Sequence, residues 1–371
     1  MKWLYGLLCL IFLIVFHEFG HFLAAKLFGV KVESFSVGFG PILLHRTING
    51  TDYRLSLIPL GGYCGMKGEK DFQRAIEEKL PEIKAEPDSL YGIHPFKRAL
   101  IGFAGPFFNF IFAVFACSLI NGIGYTYTDY SNQILINEKV HSSVARDAGL
   151  QSGDRILKVN GKETATFFEV GREVKIHPDE DITLLVDRDG QELTFTLHTD
   201  LDKNSGAGLI GIAADESEPL ELESPHYGFF ASIGQGFIDA VKSAGLTIKS
   251  IGILFKGVNL DTAVSGPIRA TEMMGSTVKN GFAAGFKIGL LGILDLLSVI
   301  SISLFIMNLL PVPILDGGLI LIAFIEIIFR RKINPRIQYY IQFIGLAFIF
   351  IILFIGLKGD ILYIFNSIKK G

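Results

Sequence analysis

Apolar residues run almost unbroken from 3 to 25, again from about Ala99 to Ile120, from about Phe286 to Phe329, and from about Ile341 to Leu357. At 1.5 Å per helical residue the first run covers about 34 Å, enough to cross a hydrocarbon layer of roughly 30 Å. The third run is long enough for two crossings or for one broken one. Two crossings would put Arg330, Arg331, Lys332 and Arg336 on the same side as the polar segment 125–225, whereas one broken crossing leaves this short basic loop in the cytoplasm together with Lys26, Lys31, Arg46, Arg54, Lys97 and Arg98. Four spans are therefore expected, at 1–26, 97–122, 284–329 (broken) and 338–358. The N-terminus, the segment 125–285 and the C-terminus then lie outside.

Between the spans the pattern changes period. ILLHRTINGTDYRLSLIPLGGY holds an Asn49-Gly50 turn between two strand-like runs, which predicts a hairpin on the cytoplasmic side, within 27–96, followed by a charged loop. Residues 127–215 alternate as a soluble domain does, in ILINEKV, RILKVN, DITLLVD and ELTFTLH around a helix-like FFEVGREV, and predict a small α+β unit. Residues 226–257 space their apolar positions by three and four, with Asp239, Lys242 and Lys249 between. This predicts an amphipathic helix on the outer membrane surface, with a connector reaching to 280.

Composition agrees with membrane residence: 50% of the 371 residues are hydrophobic and 19% charged, and mean hydropathy is +0.44. The formal net charge of -3 indicates no particular partner, and no nucleic-acid partner is expected. Cys9, Cys64 and Cys117 lack metal-site or disulfide spacing and read as small hydrophobes.

Chemistry enters where the first apolar run spells VFHEFGHFLAA. His17-Glu18-Phe19-Gly20-His21 is HExxH, which puts two imidazoles on one helix face, where they can share an ion, with Glu18 available as general base; zinc is the usual ion. The competing reading is a chance pattern in a signal peptide, with Lys2, an apolar core and Ala24-Ala25 as a cleavage site. Ionisable groups at membrane depth cost about 2.5 to 3.5 kcal/mol each, whereas a structural zinc site returns on the order of 10 kcal/mol. That balance favours the metal. A catalytic zinc needs a third protein ligand. Asp316 in NLLPVPILDGG is the acidic residue at matching depth, where Pro311 and Pro313 interrupt the helix. Asp295 and Glu326 lie toward the two ends.

HEFGH, GFGP (38–41), PLGGY (59–63), AGPFFNF (104–110), VSGPI (264–268) and NLLPVPILDGG, taken in order, resemble the site-2 protease family of intramembrane zinc metalloproteases, specifically the bacterial regulators of sigma-E-type responses with one PDZ domain. The resemblance implies a polytopic α-helical membrane protein with a membrane-associated β-hairpin and an inserted PDZ-like extracytoplasmic domain at 127–215, carried by SSVARDAGLQSGDRILKVNG (142–161). It implies zinc ligands His17, His21 and Asp316, Glu18 as the activating base, and Asn308 hydrogen-bonding the substrate or the developing oxyanion. Asn109 is expected to pack against the active-site helices. The hairpin edge around Tyr53, Arg54 and Leu55 would pair with an unwound substrate strand. The implied activity is cleavage, within the membrane of the cell, of single-span proteins such as anti-sigma factors or signal peptide remnants, with the site opening to the cytoplasm and membrane lipid as surroundings. Ser143-Val144-Ala145 stands where the family often has SPA, Ser303-Leu304-Phe305 where it has NLG, and Leu319 where a histidine often follows LDGG. A catalytically silent membrane PDZ receptor or chaperone of the same fold is the alternative. An ion transporter also fits the hydropathy, yet the chain shows no inverted repeat.

Overall fold

The computed structural model describes residues 2–136, 142–264 and 266–370, so the second half of the strand expected in ILINEKV and Ser265 of VSGPI lie outside the described residues. The chain divides into two compact units. One comprises 1–120, 231–244 and 265–371; the other comprises 121–230 and 245–264.

The first unit opens with α1 (Lys2–Leu27), then β1 (Val32–Ile48), β2 (Thr51–Met66), α2 (Glu69–Glu77) and α3 (Pro95–Ile123). Four helices among the described residues are long and apolar enough to cross a membrane: α1, α3, and two later ones at Phe286–Leu309 and Pro335–Phe365. The run 286–329 is two helices, one of 24 residues and one of only 14, from Asp316 to Phe329. Their order against α3 gives the path. Ile302 packs in one cluster with Ala113, Ser301 Oγ donates to the Asn109 carbonyl at 2.8 Å, Leu319 and Ile320 approach Gly102, and Arg98 pairs with Glu326. Both helices thus run past α3 in one sense instead of doubling back.

The hairpin is more folded than its sequence suggests. Asn49 and Gly50 have φ of 49° and 76°, the pair of positive values a type I′ turn requires, and Ile42–Ile48 pair back on Thr51–Ser56. Ser34–Val37, however, lie between Gly62–Gly65 on one side and Asp52–Leu55 on the other. The two strands therefore make four arms in the order 62–66, 32–37, 51–56, 42–48. Tyr53, Arg54 and Leu55 occupy an interior arm, paired on both sides, and offer no free edge to a substrate strand. The root of the sheet is fixed on α1 and α3 by a cluster of Ala25, Val30, Val32 and Ile101. Its far arms leave Phe39, Ile42, Leu44 and Leu57 exposed.

The second unit holds β3 (Thr126–Tyr130), β4 (Ile134–Ile136), α4 (Val144–Asp147), β5 (Arg155–Val159), β6 (Lys162–Glu163), α5 (Phe167–Lys175), β7 (Asp181–Arg188), β8 (Gln191–His198) and the short strands β9 (Asp200–Leu201), β10 (Gly208–Leu209), β11 (Ile212–Ala214) and β12 (Pro219–Glu223). Its main sheet runs β6-β5-β7-β8, antiparallel throughout. Inward residues of β5 and β7, among them Ile156, Ile182, Leu184 and Val186, meet Val170 and Val174 of α5 in one core. Thr166 caps α5 by accepting from Glu169 N–H, while the Glu169 carboxylate accepts from Ala165 N–H, a reciprocal start of capping-box type.

The helix expected to lie on the membrane surface is different. α6 (Phe229–Ile253) is followed by α7 (Leu260–Ala263) and α8 (Pro267–Ala284). Gly236 comes close enough to Ser118 that a Cβ would lie 2.2 Å from its Oγ, and Ala240 is buried with Ala113 and Ile302. Small residues at 236, 240 and 244 give this part of α6 a face that packs between helices. The three-and-four spacing could not separate that face from a lipid-facing one. The chain ends with α9 (Phe286–Leu309), α10 (Asp316–Phe329) and α11 (Pro335–Lys370).

Candidate metal centre

His17 and His21 lie one turn apart on α1, and Asp316 begins α10, where a carboxylate suits the positive end of the helix. The loop 310–315 delivers it. Val312 N–H donates to the Leu310 carbonyl and Leu315 N–H to that of Val312, so the backbone freed by Pro311 and Pro313 is re-paired locally. Gly317 and Gly318 let this loop pass: a Cβ on Gly317 would stand 2.2 Å from the Leu310 carbonyl oxygen, and one on Gly318 2.5 Å from Pro313 Cα.

The three side chains converge on one point. His17 Nε2 and His21 Nε2 are 3.2 Å apart, and each is 3.2 Å from an Asp316 oxygen. A tetrahedral ion with bonds of about 2.0 Å separates its ligand atoms by about 3.3 Å, so the triangle matches one face of such an ion, and the donor set of two imidazoles and a carboxylate suits zinc. Asp295 and Glu326 are absent from this cluster, as is every Cys thiol.

Each imidazole is oriented from behind. His21 Nδ1–H donates to the Ile101 carbonyl at 2.8 Å, leaving Nε2 as the donor atom for the ion. His17 Nδ1 faces the side-chain amide of fully buried Asn109 at 3.1 Å. The structure sets Asn109 Nδ2 toward that ring nitrogen; with Nε2 directed at the ion, Nδ1 carries the proton, so we assign the amide the reverse orientation, with its oxygen facing the ring. That orientation also satisfies an Asn109 oxygen otherwise left without a partner among the described residues. Asn109 is therefore more than packing. A partner for His17 Nδ1 was the signal to look for, since metal-bound histidines almost always have one. Gly105 opens the remaining space, because a Cβ there would lie 2.2 Å from His21 Nε2.

Around the triangle is a cleft of about 340 Å³ that includes Glu18, Tyr63, Cys64, Met66, Asn308 and Leu319. Glu18 Oε2 accepts from Cys64 N–H at 3.0 Å, so the carboxylate is held by the edge arm 62–66. Burial and the neighbouring Glu18 push the Cys64 thiol up to about 12, which keeps it a neutral neighbour. Tyr63 and Cys64 were not singled out as site residues from sequence; the glycine pair ahead of them was the clue, since it lets the strand curl back to α1. Asn308 lines the cleft, half-buried. Tyr53 packs on Phe22 and Phe35, while Arg54 donates to Asp52 and to the Tyr63 hydroxyl. These side chains brace the sheet and the cleft wall from within.

Comparison with known proteins agrees with this centre. Residues 5–352 match Peptidase family M50. A Treponema pallidum protein named "Putative zinc metalloprotease" is 33% identical over 99% of this chain and all of its own length. Similarly named proteins of Campylobacter jejuni (34% identical over 97% of this chain, 93% of that one) and Helicobacter pylori (31%, 96% and 98%) are also similar. A buried two-histidine, one-aspartate cluster among apolar helices, in a chain matching this family along nearly its whole length, makes the protein a membrane-embedded zinc metalloendopeptidase of the M50, or site-2 protease, family.

Proposed function

We propose that the protein hydrolyses a peptide bond within the transmembrane segment of a single-span partner already shortened outside the membrane, of the kind an anti-sigma factor or a signal peptide remnant presents. The observation that carries this reading is the donor triangle of His17, His21 and Asp316 beside Glu18, set among helices fit to span a bilayer. When bound there, zinc supplies Lewis acidity to a carbonyl and lowers the pKa of water.

The remaining steps belong to the chain. His17 and His21, with Asp316, would hold the ion as neutral imidazoles, kept in that tautomer by Asn109 and the Ile101 carbonyl. Glu18, released from Cys64 N–H, takes a proton from the attacking water and returns it to the leaving amine. Asn308, which also lines the cleft, donates to the carbonyl oxygen as charge develops there. A helical substrate hides its carbonyls in its own hydrogen bonds and must first unwind. The edge arm 62–66, paired on one side only, is the place for that extended strand. In this reading the inserted domain acts as a PDZ-like filter against bulky ectodomains on the outer side, and the positive-inside tendency of the basic segment 330–336 favours a cleft that opens toward the cytoplasm.

The test is to express the Glu18→Gln variant in cells and identify what it retains. Single-span proteins with truncated outer portions are expected. Retention of intact polytopic or soluble proteins alone would overturn the substrate class.

A further inference from the structure

The end of α10 opposite Asp316 closes a cavity of about 510 Å³ with the start of α3. Its lining holds His94, Arg330, Arg331 and Lys332, with Glu326 as the one carboxylate. Glu326 is already used: Oε2 accepts from Arg98, and Oε1 accepts from Ile333 N–H at 3.0 Å. Arg330, Arg331 and Lys332 have no ion-pair partner among the described residues. Three consecutive cations, each solvent-exposed, thus line one recess whose carboxylate is committed elsewhere, an arrangement that favours an external anion.

Two further features say what kind. Arg330 ends α10 with φ of 51°, a left-handed position where glycine is usual, yet the chain keeps a guanidinium there, able to bind phosphate oxygens in pairs. Beside the cations, Ile328 and Phe329 are 72% and 70% exposed, an apolar surface that a free anion would leave uncovered and an acyl chain would cover. Basic recesses between membrane helices are recognised sites for anionic headgroups.

We infer that this cavity binds the phosphodiester headgroup of an anionic membrane lipid, with Arg330, Arg331 and Lys332 on the phosphate and the acyl chains along Ile328 and Phe329. Because α10 begins with Asp316, the lipid holds the far end of the helix that supplies a metal ligand.

The experiment uses the full chain in neutral detergent, titrated with phosphatidylglycerol or phosphatidylcholine, with bound lipid counted by native mass spectrometry. Wild type is expected to retain phosphatidylglycerol roughly a hundredfold more strongly, and Arg330→Gln/Arg331→Gln/Lys332→Gln to lose that preference, at roughly fivefold per cation. Arg74→Gln/Lys79→Gln/Lys84→Gln, which removes as much charge from α2 and the loop after it, is expected to leave it unchanged. If the triple variant does not fold, Arg331→Gln alone is expected to weaken retention about fivefold. Equal retention by the variant, equal loss in the loop control, or displacement of the lipid by millimolar inorganic phosphate would each overturn the assignment, the last in favour of a free-anion site.

Discussion

Asp154 and Asp316 are carboxylates of similar purpose on paper, each drawn out of water in one of the two units, and their neighbours differ in kind. Asp154 collects donors: Arg188 Nε and Nη2, each at 2.7 Å, and Gln151 N–H at 2.8 Å. Asp316 collects other lone pairs, those of His17 and His21 at 3.2 Å. The first arrangement is complete as it stands, since each carboxylate oxygen has a donor. The second is repulsive until a cation sits between its members. A carboxylate that gathers donors holds a fold together, whereas one that gathers acceptors is waiting for an ion.

That contrast can be broken in several places. Asp316→Ala should abolish both zinc retention and cleavage, measured by metal analysis and a single-span substrate in proteoliposomes, while leaving the inserted domain folded. Gly105→Val pushes a side chain into His21 Nε2 and should lower cleavage by about 10²-fold, the usual result of displacing a catalytic group by about 1 Å. Asn109→Ala frees the His17 ring and should weaken zinc affinity by about 10- to 100-fold, read by competition with a chelator.

Asp154→Asn should act on the other member of the comparison alone. Burial raises the Asp154 carboxyl, but Arg188 and Gln151 N–H outweigh it and hold it below the ordinary range. A carboxyl depressed in the folded state contributes stability that is present above its unfolded value, about 3.9, and is lost as pH falls through the lower folded value. Protection of the β5 and β7 amides, the ratio of intrinsic to observed exchange rate, should therefore fall below about pH 4 in the wild type and lose that dependence in Asp154→Asn, whose protection near neutrality should be roughly tenfold lower. Zinc content should not move. The smallest effect belongs to Tyr53→Phe, which should leave KM within about twofold because residue 53 lies in an interior arm.

What the sequence made legible followed the range of the interactions. The tight turn at Asn49-Gly50 was legible because the pair carries a local conformational demand, met here by positive φ at both residues. The zinc set was legible because HExxH is a one-turn spacing and Asp316 sits in a helix break at matching depth. The four-arm sheet was not, since its second pairing joins Ser34–Val37 to Asp52–Leu55 across bends at Gly38 and Gly61 that no period-two pattern records. The packed face of α6 was hidden because glycine and alanine score alike whether they meet lipid or another helix. Asn109 was placed on the right span without its role, which depends on a ring nitrogen 92 positions earlier.

Glu18 as the proton carrier at a zinc held by His17, His21 and Asp316 is open to one direct comparison. Wild type and Glu18→Gln, purified and reconstituted side by side, should both carry close to one zinc per chain. The variant should cleave a single-span substrate about 10²- to 10⁴-fold more slowly. Cleavage by Glu18→Gln at the wild-type rate, or full activity in wild type stripped of zinc, would contradict the account.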